Sequence, residues 1–133
     1  MKLTLVTPAK KLLSEVEVDE VIVPAHRGEL DILPGHSPLV STLKAGTLKV
    51  KEKGSDKYKS ASICWGYLEV APDEVIVLAE NAEWSEEIDK TRAEEQLKIA
   101  EERLQAAGLS PDDYTVARRK LEKEQSRIDT LTH

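Results

Sequence analysis

The chain has no phenylalanine, one cysteine, one methionine and two tryptophans, and aromatic residues make up 4% of its 133 residues. A core must therefore be built from Val, Ile, Leu and Ala, which suits β-branched strands. The solitary Cys64 excludes an intrachain disulfide and a cysteine-based zinc set, and points to a reducing compartment. No apolar run approaches the roughly eighteen residues that span a bilayer. The opening from Met1 to Pro8 is too short and too polar for a signal-peptide core. P-loop and GxGxxG patterns are missing, and His26, His36 and His133 have no metal-ligand spacing. Nothing local supports a Cys64–His36 nucleophile pair, and a small buried core thiol is the plainer reading of Cys64. A basic surplus is absent too: the net charge of −6 argues against an electrostatic hold on nucleic acid or anionic lipid. Protein or small-molecule partners and a cytoplasmic location are expected.

What is present divides at Trp84-Ser85. The length suits one ordinary domain, or a small domain with an appendage, and the 40% hydrophobic and 33% charged fractions are those of a soluble globular protein. Before the divide, short apolar segments recur between Gly and Pro. They predict strands over Leu3 to Thr7, Leu12 to Val18, Glu20 to Pro24, Glu29 to Leu33, Leu39 to Leu43, Thr47 to Lys51, Lys57 to Ile63, Tyr67 to Ala71 and Val75 to Ala79, a cadence typical of an all-β sandwich or barrel. Ala71-Pro72-Asp73-Glu74 and Lys53-Gly54-Ser55-Asp56 read as hairpin turns, and Leu33-Pro34-Gly35-His36 as a type II turn with Gly at the positive-φ site. Val21-Ile22-Val23 and Val75 to Ala79 are apolar on both faces. Something must cover such strands, either the rest of the chain or a protein partner. Glu29 and Asp31 share one strand face, a pattern that an exposed face gives without catalysis.

After the divide, residues 85–133 carry a helical repeat broken once, at Gly108-Leu109-Ser110-Pro111. Ser85-Glu86-Glu87 offers a cap with an acidic first turn. Ala93, Leu97, Ala100, Leu104 and Ala107 form a first seam. Gly108 then serves as the stop, and Ser110-Pro111-Asp112-Asp113 as the restart. Tyr114, Ala117, Leu121, Ile128 and Leu131 form a second seam, with Glu124 in the slot where another apolar residue belongs. Pairs such as Glu86 with Lys90 and Glu94 with Lys98 support the helices locally. Their mutual seam is thin because Ala buries little area, so the helices can persist while their docking changes, and faster hydrogen exchange is expected across 85–133 than across the strands. Arg118, Arg119, Lys120, Lys123 and Arg127 make the second helix locally basic, either as a solvated face balanced by its own acids or as a docking face for an acidic partner. The fold class is therefore α+β, an N-terminal β-sandwich over 1–84 followed by an antiparallel two-helix hairpin over 85–133.

The stretch from Gly28 to Leu39, GELDILPGHSPL, resembles the signature loop of the epsilon subunit family of F-type ATP synthases. Gly66-Tyr67-Leu68-Glu69-Val70, Ile76-Val77-Leu78-Ala79 and Ile88-Asp89-Lys90-Thr91-Arg92-Ala93 follow in the family's order, so the resemblance runs over essentially the whole chain. It implies a non-catalytic rotor subunit of the central stalk that couples the catalytic head to the c ring during proton-driven ATP synthesis. The sandwich would bind the gamma subunit and the c ring through Glu29, Asp31 and His36. Membrane association would come only through the complex, at the cytoplasmic face of a bacterial plasma membrane.

The resemblance further implies that the hairpin inhibits ATP hydrolysis by extending toward the beta subunit, with Arg118, Arg119, Lys120, Lys123 and Arg127 as its inhibitory basic face. No cofactor is required, and ATP enters as a regulatory ligand of the compact form, with Glu83, Ile88, Asp89, Arg92, Ala93 and Arg127 as the matching positions. Ile99 and Lys123 stand where that pattern has arginines, and Trp65 replaces a small residue at a strand entry. Read without any family, the same chain is a free-standing ligand or peptide binding module with a helical lid.

Overall fold

The computed structural model describes residues 1–132; His133 lies outside the described residues. Seven strands precede two helices: β1 (Lys2–Val6), β2 (Lys11–Ala25), β3 (Gly28–Ile32), β4 (Leu39–Leu43), β5 (Gly46–Glu52), β6 (Lys59–Ala71), β7 (Glu74–Trp84), α1 (Lys90–Gln105) and α2 (Pro111–Leu131). A 3₁₀ turn at Ser85–Glu87 joins the two halves.

The sandwich arises because its two longest strands change partners along their length. β2 pairs with β1 near its start, with β5 over Val18 to Ile22 and with β3 over Val21 to Ala25. β6 pairs with β5 up to Ile63 and with β4 from Gly66 onward, while β7 lies antiparallel along nearly all of it. β1 closes the layer by running parallel to β7. Four separate strands were expected where these two run, because the alternation breaks at the points of exchange. β2 shifts register against β5 between Val18 and Glu20, and Trp65 takes a φ of 45° in β6.

Leu3, Leu5, Val21, Val23, Ile32, Leu48, Val50, Ile63, Leu68, Val75 and Val77 are fully buried between the layers. Burial of each such side chain stabilises the fold by about 1.5–3 kcal/mol. Two glycines are required by geometry. Gly35 has φ 88° in the turn where the His36 N–H donates to the Leu33 carbonyl at 3.0 Å. A Cβ at Gly66 would lie 1.9 Å from the Leu78 carbonyl oxygen, so only glycine lets β6 approach β7 there.

The hairpin starts later than its sequence suggests. Ser85 begins only the 3₁₀ turn, Ile88 is extended, and Asp89 caps α1 by accepting a hydrogen bond from the Arg92 N–H at 3.1 Å. Glu86 therefore precedes the helix and cannot pair across a turn with Lys90, which instead lies 3.9 Å from Glu94. The break falls as the residues dictate: α1 ends at Gln105, Gly108 has φ 80°, Ser110 accepts from the Asp113 N–H at 3.1 Å, and Pro111 occupies the first turn.

Candidate functional site

The doubly apolar strands are not the ones that the hairpin covers. On β7, Val75, Val77 and Ala79 point into the core, whereas Leu78 is 48% exposed on the outer face. Cross-strand pairing sets it beside Val6 of β1 and Tyr67 of β6, which is itself 60% exposed and paired with Thr42 of β4. Val40 adds a further exposed aliphatic residue on the same face of β4. Together with Pro8, Trp65 and Glu80 these strands line an open groove of about 510 Å³. A contiguous apolar surface of this kind on a sheet marks a place for a protein partner.

α2 instead covers a polar stretch. Ala61 and Ile63 of β6 face the core, so Ser60, Ser62 and Cys64 face outward, where they are nevertheless buried. Above them Ser126 donates to the Gly46 carbonyl at 2.9 Å and accepts from the Ser62 hydroxyl at 2.8 Å. Thr130 donates to the Ser126 carbonyl at 2.8 Å, leaving its oxygen to accept from Thr47 at 2.9 Å. Among the described residues no buried side-chain polar atom lacks a partner. The helix is thus seated on hydroxyls, each net hydrogen bond contributing about 0.5–1.5 kcal/mol.

One charge is buried in this seat. Glu124, 1% exposed, accepts from Arg127 Nη1 at 2.9 Å and lies 3.6 Å from Lys120 Nζ. Arg127 also reaches Glu83 at the end of β7, at 3.0 Å. Burial works against the Arg127 charge, but Glu124 and Glu83 outweigh it and hold the guanidinium above its ordinary range. Sequence reasoning missed Ser62, Ser126 and Thr130 because hydroxyls give no apolar period. Glu124 carried a readable signal: an acid in a seam position with Lys120 and Arg127 a turn away on either side.

The basic residues of α2 are largely engaged within the chain. Arg118 pairs with Glu122 at 3.3 Å, Arg119 with Glu80 at 3.3 Å, and Lys120 and Arg127 with the buried Glu124. Lys123 lines a cavity of about 80 Å³ with Ser62, Cys64, Asn81, Glu83 and Arg127. In this position of the hairpin they form no free cationic patch.

Of the residues matched to nucleotide binding, Ile88 and Ala93 are buried packing positions, Asp89 is a helix cap, and Glu83 and Arg127 hold each other. Arg92 is exposed, and it is its backbone N–H that meets Asp89. A nucleotide needs a pocket of at least roughly 300 Å³, so the small cavity beside Arg127 does not admit one. Burial pushes the Cys64 thiol up to about 12, which makes it an inert protonated thiol rather than a nucleophile.

Glu29 and Asp31 project from the same exposed face of β3, which pairs with β2. Asp31 titrates above its ordinary range because of partial desolvation and the neighbouring Glu20 carboxylate. Glu20 titrates below its own because Tyr58 donates a hydrogen bond to it, with Asp31 and Lys51 adding to the effect. His36 is half-buried in the Pro34-Gly35 turn, its Nδ1 2.8 Å from the Ser37 carbonyl oxygen, which fixes the proton on that nitrogen. Its hydrogen bonds are local to the loop that follows β3.

A family model described as ATP synthase, Delta/Epsilon chain, beta-sandwich domain matches residues 1–85, and one described as ATP synthase, Delta/Epsilon chain, long alpha-helix domain matches residues 86–132. The ATP synthase epsilon chain of Bdellovibrio bacteriovorus is 43% identical over 129 residues, covering 97% of this chain and 92% of that one. The corresponding chain of Geobacter metallireducens is 43% identical over 128 residues, covering 96% and 89%. Among solved structures, a chain of the Euglena gracilis mitochondrial ATP synthase, OSCP/F1/c-ring, superposes with a TM-score of 0.87 at 24% identity, covering 100% of this chain and 81% of that one. At that identity the likeness is one of fold.

Proposed function

Because the chain belongs to the ATP synthase delta/epsilon family, we propose that it is a non-catalytic rotor subunit of the central stalk of an F-type ATP synthase. In that role it couples the catalytic head to the c ring during proton-driven ATP synthesis and restrains ATP hydrolysis through its helices. The observation that carries this reading is the match of both halves to the same family in the same order. The free-standing module with a lid gives way to it, since relatives alike over nearly their full length are named as epsilon chains of the synthase.

Residues 1–84 act as the docking domain and 85–133 as the regulatory domain. The groove walled by Val6, Tyr67 and Leu78 is an apolar surface of the kind the gamma subunit requires, and Glu29, Asp31 and His36 form a polar edge for the c ring. The helices hold few large buried side chains, so an arm resting on hydroxyls can leave at modest cost. Extended, α2 would turn Arg118, Arg119, Lys120, Lys123 and Arg127 toward acidic segments of the beta subunit. No described helix is long and apolar enough to cross a membrane, and the chain reaches the cytoplasmic face of the bacterial membrane through the complex.

ATP as a regulatory ligand has its support in the exposed Arg92. Reaching Arg127 requires displacing Glu83, so that contact weakens binding. Amide shifts of Asp89, Arg92 and Arg127 during MgATP titration read this directly.

The reading as a whole is tested by adding the chain to catalytic heads depleted of their epsilon subunit. It predicts stable copurification with gamma and a fall in ATP hydrolysis that is lost when residues 85–133 are deleted. A chain that neither binds gamma nor changes hydrolysis would refute it.

A further inference from the structure

The C-terminal half of α2 is seated on the sandwich through Ser126, Arg127 and Thr130, whereas a contact that adds an aromatic face holds its N-terminal half. Arg119 Nη2 lies 3.3 Å from Glu80 Oε2, and the guanidinium carbon stands 4.1 Å from the centroid of the Trp65 ring. Trp65 occupies the point where β6 leaves β5 for β4, at a φ of 45°. That left-handed setting is costly for any residue with a Cβ and is relaxed for glycine. A strained backbone that carries a large ring is retained where the ring has a use. Here the ring offers its face to the one helix that would have to lift away.

We propose that Trp65, Glu80 and Arg119 form a latch that sets how often the hairpin leaves the sandwich and that withholds Arg119 from any acidic partner until it opens. The first part stands on these contacts alone; the second rests on the arm reading above. A planar guanidinium can stack on the indole and bond to the carboxylate at the same time, which an ammonium cannot reproduce. Arg119 and Glu80 are each about half exposed, so the latch is weak enough to open thermally and is weakened by salt. The Arg127–Glu83 pair, which ties the C-terminal half of α2 to β7, is less exposed and better shielded. The two fastenings therefore respond differently to ionic strength, and the N-terminal half of α2 opens first as salt rises.

Trp65→Gly and Glu80→Gln test the latch in the full chain without touching the charges of α2. In Trp65→Gly the backbone strain is relieved, so exchange in the sandwich strands stays equal or slows. Amide exchange over residues 112–123 is expected to rise about fivefold, the loss expected for one half-exposed cation–π contact. Glu80→Gln raises it less, and high salt narrows both differences. Unchanged exchange over 112–123 in both variants, with the strands intact, overturns the latch. In reassembled complexes shown to hold the variant chain on gamma at the unsubstituted stoichiometry, Trp65→Gly should lower ATP hydrolysis, because the released arm inhibits more often. Faster exchange in the isolated chain with unaltered hydrolysis would uphold the latch as a fastening and refute the arm reading.

Discussion

The two halves of this chain are stabilised by different means. Between the sheets lie fully buried Leu, Ile and Val side chains, among them Leu3, Leu48, Ile63 and Leu68. In α1 and α2 the buried residues are Ala93, Ala100 and Ala117, together with Glu124, Ser126 and Thr130, while Leu97, Leu104, Leu121 and Ile128 stay half-exposed. A sheet made of large aliphatic side chains unfolds as a unit. A helix set on hydroxyls and one ion pair can separate without disturbing what it leaves, because every group it uncovers finds water as a substitute partner. Directional polar contacts also specify a single docked position more sharply than a greasy seam of the same area. A body that must stay rigid and an arm that must move are thus encoded by different classes of side chain.

Substitutions on either side of this divide separate the two behaviours. Leu68→Ala, at the centre of the sandwich, should cost about 2–5 kcal/mol in denaturant unfolding and lower the stability of both halves together. Arg127→Met leaves the buried Glu124 with Lys120 as its remaining partner and should cost docking of the hairpin about 3 kcal/mol. Exchange should then accelerate across α2 while the strands keep their protection. Ser126→Ala removes the bond to Gly46 and should cost about 1 kcal/mol, again confined to the helices. Asp31→Asn has the smallest expected effect and the opposite sign. Asp31 is held above its ordinary range, so its ionised form is disfavoured in the fold, and any stability linked to it is lost as pH rises through its folded value. At neutral pH the amide relieves crowding with Glu20 and should raise the melting temperature slightly, an increment that vanishes well below pH 4.

Much of the sandwich was legible because buried aliphatic residues alternate. β1, β3, β4 and β5 lie within a residue of where the period of two places them. β2 and β6 were split because register shifts and the left-handed Trp65 interrupt that period where a strand changes partner, and a single sequence does not distinguish a partner exchange from a turn. The hairpin's break was legible from Gly108, Ser110 and Pro111, since each has one conformational use there. Its start was not, because Ser85-Glu86-Glu87 carries the same cap chemistry as the true cap at Asp89. The seat of α2 was hidden for a deeper reason. Ser62, Ser126 and Thr130 are buried through mutual satisfaction, and a hydroxyl facing another hydroxyl looks in sequence like one facing water.

Cys64 provides the most direct test of the claim that the hairpin parts from an intact sandwich. The thiol is buried where α2 crosses β6, and it is the only one in the chain. In the isolated chain under native conditions, a maleimide should label Cys64 much faster than the core strands exchange, and Arg127→Met should raise the labelling rate with no change in strand protection. Labelling that proceeds only at the rate of global unfolding, and that Leu68→Ala accelerates while Arg127→Met does not, would contradict the account.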